Sequence, residues 1–306
     1  MGLNTAKETV IMNNLTSKFD NRVRAAELFY PEVSTIMDSD RRQEDYGMLG
    51  NSPAVREWLG DRKFKELRSS DYFLKNKKWE SSLKVAKDDI SDDNLAMYPP
   101  MIKDLADEAT HHPDELLFDT LLAGESSVGF DGQNFYDTDH EWGDSGVQSN
   151  DLTFNAVDPD DVTVAEFADA YEIMRQAFLT FKRDNGKTYV RPTVKPLTGL
   201  MLLVPIELQL TATKAVTQEI TDTGESNIIL DLPRILTSGF LTNQRKFYLF
   251  NLDSLLMPFI FQARESLSRG TKGIGDLETQ EIKFMTQARY NVGYLAWWNT
   301  VLTLFN

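Results

Sequence analysis

The sequence predicts an α+β fold, with helices and strands in separate stretches of the chain. Apolar residues recur at helical spacing at about 97–123 and 162–183, and two other runs, at about 78–85 and 282–292, alternate apolar with polar. Gly, Pro, Asp and Asn gather between these runs as turns, and no internal repeat or low-complexity tract interrupts them.

The elements follow in order. Residues 1–45 are polar and mixed, with a modestly helical piece around Arg22–Leu28 that Pro31 interrupts, and they are predicted to form an extended arm. From Tyr46 to Leu67, Gly47, Gly50, Pro53 and Gly60 divide the chain into turns with a short helix near 54–59. Two strands are then predicted, at about 62–67 and 72–90, joined by a turn at Arg68–Asp71; in the second, Trp79, Ser81, Leu83 and Val85 alternate with Lys78, Glu80, Ser82 and Lys84. The result is a long charged β-hairpin with little apolar content, marginal in water without a partner surface.

Asp92, Asp93 and Asn94 offer an N-cap to the longest expected helix. Its apolar positions are Met101, Ile102, Leu105, Ala106, Ala109, Leu116, Leu117, Leu121 and Leu122, with a kink or restart expected at Pro113 and an end at Gly124. Residues 128–160 read as strand and loop, rich in Asp, Gly and Asn. Val164, Phe167, Ala168, Tyr171, Met174 and Phe178 mark the second helix, which Asn185-Gly186 ends. Strands are expected at 188–194, 200–210, 227–232, 246–250 and 257–262, then a flexible loop at 268–276. Ile282, Phe284, Thr286, Ala288, Tyr290 and Val292 read as a long strand that runs into an aromatic helix or strand.

Composition narrows the function. A chain of 306 residues allows one large domain or two lobes and can bury roughly three quarters of its surface. The absence of cysteine excludes disulfides and thiolate metal sites and suits a reducing compartment. MGLNTAKETV is neither a secretory signal nor, with Ala6 at the sixth position, a myristoylation site. The most apolar runs, 200–205 and 255–261, fall short of the roughly 18 residues that span a bilayer. A net charge of −15 repels phosphate at long range, so a chain of this kind near DNA would enclose it without gripping it.

The candidate chemistry is thin. Asp137, Asp139, His140, Glu141 and Asp144 crowd one acidic loop, but the spacing is not that of an EF-hand, and with three His in the chain a catalytic zinc site lacks ligands. His111 and His112 are adjacent, about 100° apart on a helix, and are expected to mark the kink. GESSVG at 124–129 has Val128 where a nucleophile elbow needs Gly, and GTKGIG at 270–275 fits no phosphate loop. Asp88-Asp89 and Asp92-Asp93 are unremarkable in so acidic a chain. The expectation is therefore a non-enzyme with no catalytic residue, no cofactor and no metal.

YGMLGNSPAVREWLGDRKFKEL, KVAKDDISDD, HHPDELLFDTLLAGE and DGQNFYDTDHEW, followed by NIILDLPRIL, KFYLFNLDSLLMPFIFQAR and ARYNVGYLAWWN, resemble the major head subunit family of phage Mu and Mu-like prophages. The resemblance runs from about Ala25 to Trp298. It implies a Hong Kong 97-type capsid fold, with an N-terminal arm at 1–45, an extended loop region at 46–93, a peripheral domain with a spine helix at 94–159, an axial domain at 160–262 and a return to the peripheral domain at 263–306. It also implies a major capsid protein that assembles with itself, as hexamers and pentamers, into an icosahedral shell around the genome of a tailed phage or prophage. A separate scaffold protein and a portal are the expected partners, DNA is enclosed without sequence-specific contact, and the place is the virion capsid, assembled in the host cytoplasm. Some members of the wider fold crosslink a Lys to an Asn between subunits; Lys75, Asn76, Lys77 and Lys78 lie in the hairpin, but such residues are common on charged strands and no crosslink is expected. An encapsulin-like compartment shell is the alternative within the fold, and a metal-dependent hydrolase built on 137–144 the alternative outside it.

Overall fold

A computed structural model describes residues 2–46, 48–49, 69–70, 72–92, 95–190, 197–217, 232–274, 276, 278 and 280–306. The elements run α1 (Gly2–Ala25), α2 (Tyr30–Val33), β1 (Ser34–Asp38), β2 (Gln43–Asp45), β3 (Met48–Leu49), β4 (Ser69–Ser70), β5 (Phe73–Lys75), β6 (Lys77–Ala86), α3 (Lys87–Ser91), α4 (Tyr98–Leu122) and β7 (Asp151–Phe154). They continue with α5 (Val164–Thr180), β8 (Leu200–Val204), α6 (Gln209–Thr217), β9 (Arg234–Thr237), β10 (Lys246–Asn251), β11 (Phe259–Lys272), β12 (Glu281–Tyr294) and β13 (Thr300–Phe305).

Two larger sheets organise the α+β fold. One has the order β7-β13-β10-β8-β9 and the other β1-β11-β12-β6; two small ribbons, β2-β5 and β3-β4, complete the set among the described residues. In the five-stranded sheet every residue of β8 is buried, as are Phe247 to Asn251 of β10. A strand covered on both faces reads as a continuous apolar run, which is what LMLLV is. Phe167 of α5 covers one face, its ring 4.9 Å from Phe247 and 6.0 Å from Phe305. Thr163 and Glu166 form a capping box that starts α5. β13 lies between β7 and β10, so the last strand of the 263–306 segment belongs to the same sheet as strands from 160–262.

The four-stranded sheet is thinner. Val85 of β6 and Ile282 and Phe284 of β12 meet Ile102, Leu105 and Ala106 of α4 in a second, smaller cluster, to which α1 adds Met12, Leu15 and Phe19. Here the chain is not extended as expected, because residues 2–25 form a helix of 24 residues. The apolar stripe that docks it is narrow, Met12, Leu15 and Phe19, amid polar neighbours; α4 and the sheet supply what the stripe lacks alone.

α4 is the long helix the spacing predicts, over 25 residues, with two departures. Its N-cap is Met97 with Pro near the first turn, not the 92–94 acidic cluster. Pro113 lies inside the helix without ending it. The following Asp114 turns its carboxylate outward from the helix ladder and accepts the backbone N–H of Phe29 and of Tyr30 (2.7 Å), capping α2.

Other expectations are corrected by pairing. Ser69–Ser70 is not a turn but pairs with Met48–Leu49, and the strand expected over 72–90 breaks at the buried Asn76, whose Nδ2 donates to Ser39 Oγ and Arg41 O, both 2.8 Å. Beyond the break β6 pairs with β12 along its whole length, so it is a sheet strand and not half of a free hairpin, and residues 87–91 are helical. The helix expected at 54–59, the strand at 62–67 and most of that at 227–232 lie outside the described residues. The 200–210 run stops at Val204 because Pro205 follows, and α6 takes over from Gln209. Residues 188–190 form only an isolated bridge, Lys182 to Thr188, not a strand. Most of the loop expected at 268–276 is strand: β11 continues to Lys272 in register with β12.

Candidate assembly surfaces and the acidic loop

The 137–144 loop is the first place to look for chemistry. His140 is completely buried and both ring nitrogens are engaged: Nδ1 lies 2.6 Å from Asp131 Oδ2 and Nε2 3.1 Å from Asn150 Oδ1. Asn150 Nδ2 donates to Phe135 O and Trp297 O, and the His140 ring stacks on Trp297 at 4.0 Å. The cluster thus joins the 131–150 loops to the turn after β12, and neither nitrogen of His140 is left to ligate an ion. Glu141 and Asp144 are exposed. Asp139 is raised above the usual carboxylate range, chiefly by its hydrogen bond with Asp137; Asp137 is lowered, because burial, which raises it, is outweighed by the N–H of Thr138, the bond from Asp139 and the N–H of Asn134. Among the described residues no group of three or more His, Asp or Glu has ligating geometry. Gly143, with φ 64°, holds this loop against Asp184, whose carbonyl oxygen would lie 2.5 Å from an added Cβ.

The remaining candidates separate. His112 does not pair with His111; its Nδ1 is 2.7 Å from Tyr290 Oη and its ring 4.2 Å from Trp79, so it fastens α4 to the sheet. His111 Nδ1 is 3.7 Å from Asp114. Ser126 of GESSVG donates to Ala123 O in a turn, where Gly124 leaves room for the Tyr136 ring. Gly270 to Lys272 of GTKGIG are strand. Asp89 accepts from Tyr98 Oη. Lys75, Lys77 and Lys78 are exposed while Asn76 is buried with its NH2 spent inside the chain.

What the structure offers instead is surface. α1 is fastened to the body by ion pairs of Arg22 with Asp107 and of Asp20 with Arg269, and by Phe19 against Phe284. The arginines hold the Asp20 and Asp107 carboxyls below the usual range. Sequence reading missed this helix; the Met12, Leu15, Phe19 spacing was its one signal. A groove lined by Trp79, Ala109, His112, Ala288 and Tyr290 opens between α4 and the sheet.

A long spine helix lying on a sheet of extended strands, beside a second sheet with its own helices, is the Hong Kong 97-type fold of phage capsid subunits. The procapsid of bacteriophage JBD30 covers 98% of this chain and 76% of its own, with TM-score 0.55 and 23% identity. The JBD30 capsid decorated with minor capsid protein trimers is 25% identical over 71% of this chain and 92% of its own, with TM-score 0.55. The virus-like particle from Pyrococcus furiosus shares the fold at TM-score 0.53 and 8% identity, covering 95% of this chain and 98% of its own.

The model of the family described as Mu-like prophage major head subunit gpT matches residues 9–162, and the chain belongs to that family. It is 36% identical over 137 residues to the Mu-like prophage FluMu major head subunit of Haemophilus influenzae, which is 45% of this chain and 44% of that protein. It is 32% identical over 130 residues to the major capsid protein of Escherichia phage Mu, 42% of this chain and 43% of that one. The chain thus spans less than half the length of the curated relatives it matches.

Proposed function

We propose that this chain is a major capsid protein, the repeating subunit of an icosahedral head shell of a tailed phage or prophage. The observation that carries the reading is membership of the major head subunit family over residues 9–162. The function is mechanical: copies of the chain associate as hexamers and pentamers and enclose DNA, which a surface of net charge −15 contains without gripping. A scaffold protein and a portal are the further partners, and assembly takes place in the host cytoplasm. Within the subunit, 1–45 is the arm, now with a docked helix, 46–93 the extended loop region, 94–159 peripheral and 160–262 axial. Of the return segment 263–306, the pairing of β13 with β10 favours counting 300–305 with the axial part.

The test is expression of the chain, alone and with a co-expressed scaffold protein, followed by light scattering and electron microscopy. Rings or shells are expected. A strictly monomeric species at all concentrations, scaffold present, overturns the reading.

A further inference from the structure

The strands of the four-stranded sheet bring together charges that are far apart in sequence. Lys283 of β12 lies directly opposite Lys84 of β6 on one side and Lys272 of β11 on the other. All three are exposed. Ile282, Phe284, Thr286 and Ala288 point into the layer, so the odd-numbered residues from 281 to 289 point out of it. On that outer face Arg289 pairs with Glu265 at 2.8 Å and Lys84 with Glu281 at 2.9 Å; among the described residues Lys272 and Lys283 form no ion pair. Like charges directly opposite one another across strands are destabilising. A row of three lysines is thus a cost to the isolated subunit that a partner's negative charge removes.

The opposite side of the same layer carries that charge. α4 packs on the inner face of β6 and β12 through Ile102, Leu105 and Ala106. At 100° per residue Asp104 falls on the side of the helix away from that stripe, and both Asp104 and Asp119 are exposed, whereas Glu108 lines the groove between α4 and the sheet. Neither Asp104 nor Asp119 forms an ion pair with a described residue, whereas Asp107, on the same side as Asp104, is taken by Arg22. The layer is cationic on its sheet face and anionic along its helix. Surfaces that complement each other on opposite sides of one molecule join head to tail, the kind of contact that closes rings.

We propose that Lys84, Lys283 and Lys272 form a contact surface for a second copy of this chain, whose α4 carboxylates they receive. The proposal rests on the shell-subunit reading and adds a contact to it. Phosphate of nucleic acid is the other chemistry a lysine row attracts, but it must approach against a net charge of −15, and the row has a matching ridge on the chain itself.

Full-length Lys283→Glu tests this. Placing Glu between Lys84 and Lys272 relieves repulsion, so the unassembled variant should melt about 1–2 °C above wild type. In the same protein the concentration needed for assembly, read by light scattering, should rise about tenfold. The double variant Asp104→Lys, Asp119→Lys should be equally impaired, and mixing the two variants should restore assembly, since each supplies the charge the other lacks. Lys283→Glu assembling at the wild-type concentration, or mixtures that fail to recover, would overturn the proposal. If assembly is unchanged and retention of a duplex DNA probe falls instead, the row serves nucleic acid. A wild-type chain that never leaves the monomer refutes the shell reading itself, whereas a wild type that assembles beside an indifferent Lys283→Glu refutes this contact alone.

Discussion

The two sheets of this subunit are built on different terms. β8, β10 and β13 sit inside the five-stranded sheet with both faces covered, and few of their side chains reach water. β6 and the first half of β12 alternate, buried toward α1 and α4 and open on the other side. The first arrangement concentrates apolar burial, which at about 25 cal/mol per Å² is the main source of stability. The second leaves a long polar face open and docks α1 through a narrow apolar stripe. One region holds the fold; the other keeps an open, charged face.

That contrast is open to attack first at the thick sheet. Phe247, fully buried between Phe167 and Phe305, should cost about 3–5 kcal/mol as Phe247→Ala, measured by denaturant unfolding. A loss under about 1 kcal/mol would mean that the division of labour is wrong. His140→Ala removes one partner of a buried pair and leaves the Asp131 carboxylate without it, an expected loss of about 3 kcal/mol by the same measurement. If His140 were instead an ion ligand, wild-type stability would fall on adding chelator, and none is expected.

In the thin layer the effects should be local. Phe19→Ala should weaken docking of α1 by about 1–2 kcal/mol, because the helix can lift away without unfolding the rest. Faster hydrogen exchange confined to residues 2–25 and their cover would show it; an equal rise across β8 and β10 would not fit.

Acid should have the smallest and most specific effect. Asp20 and Asp107 are held below the ordinary carboxylate value of 3.8 by their arginines. A carboxyl lowered on folding contributes stability above its unfolded value and loses it as pH falls through the folded one. Lowering pH from 5 to 3 should therefore loosen α1 while the five-stranded sheet persists, as limited proteolysis near the N-terminus would report. Release of α1 that is greater at pH 7 than at pH 3 would refute the sign.

Much of the candidate surface was legible, and what was missed shares one cause. The spine helix followed from the spacing of Ile102, Leu105, Ala106, Leu117 and Leu121, and α5 from Phe167, Tyr171, Met174 and Phe178, because each carries a broad apolar face of its own. α1 was not, since Met12, Leu15 and Phe19 make too thin a stripe to announce a helix without the surface they meet. The 268–272 strand was hidden for the same reason: SRGTK has no apolar period, and only its ladder with β12 makes it extended.

The sequence by itself determined the alternation of β6 and β12, the buried run of β8, the two long amphipathic helices and the family to which they belong. Local patterns of burial are written residue by residue, so these survive without knowledge of the partner. Register, by contrast, depends on which strands meet. Tertiary structure alone decided that Lys84, Lys283 and Lys272 stand side by side, that Asp114 caps α2, and that His140 is closed between Asp131 and Asn150. Each of these joins residues from separate segments, and no pattern within one segment encodes a distance to another.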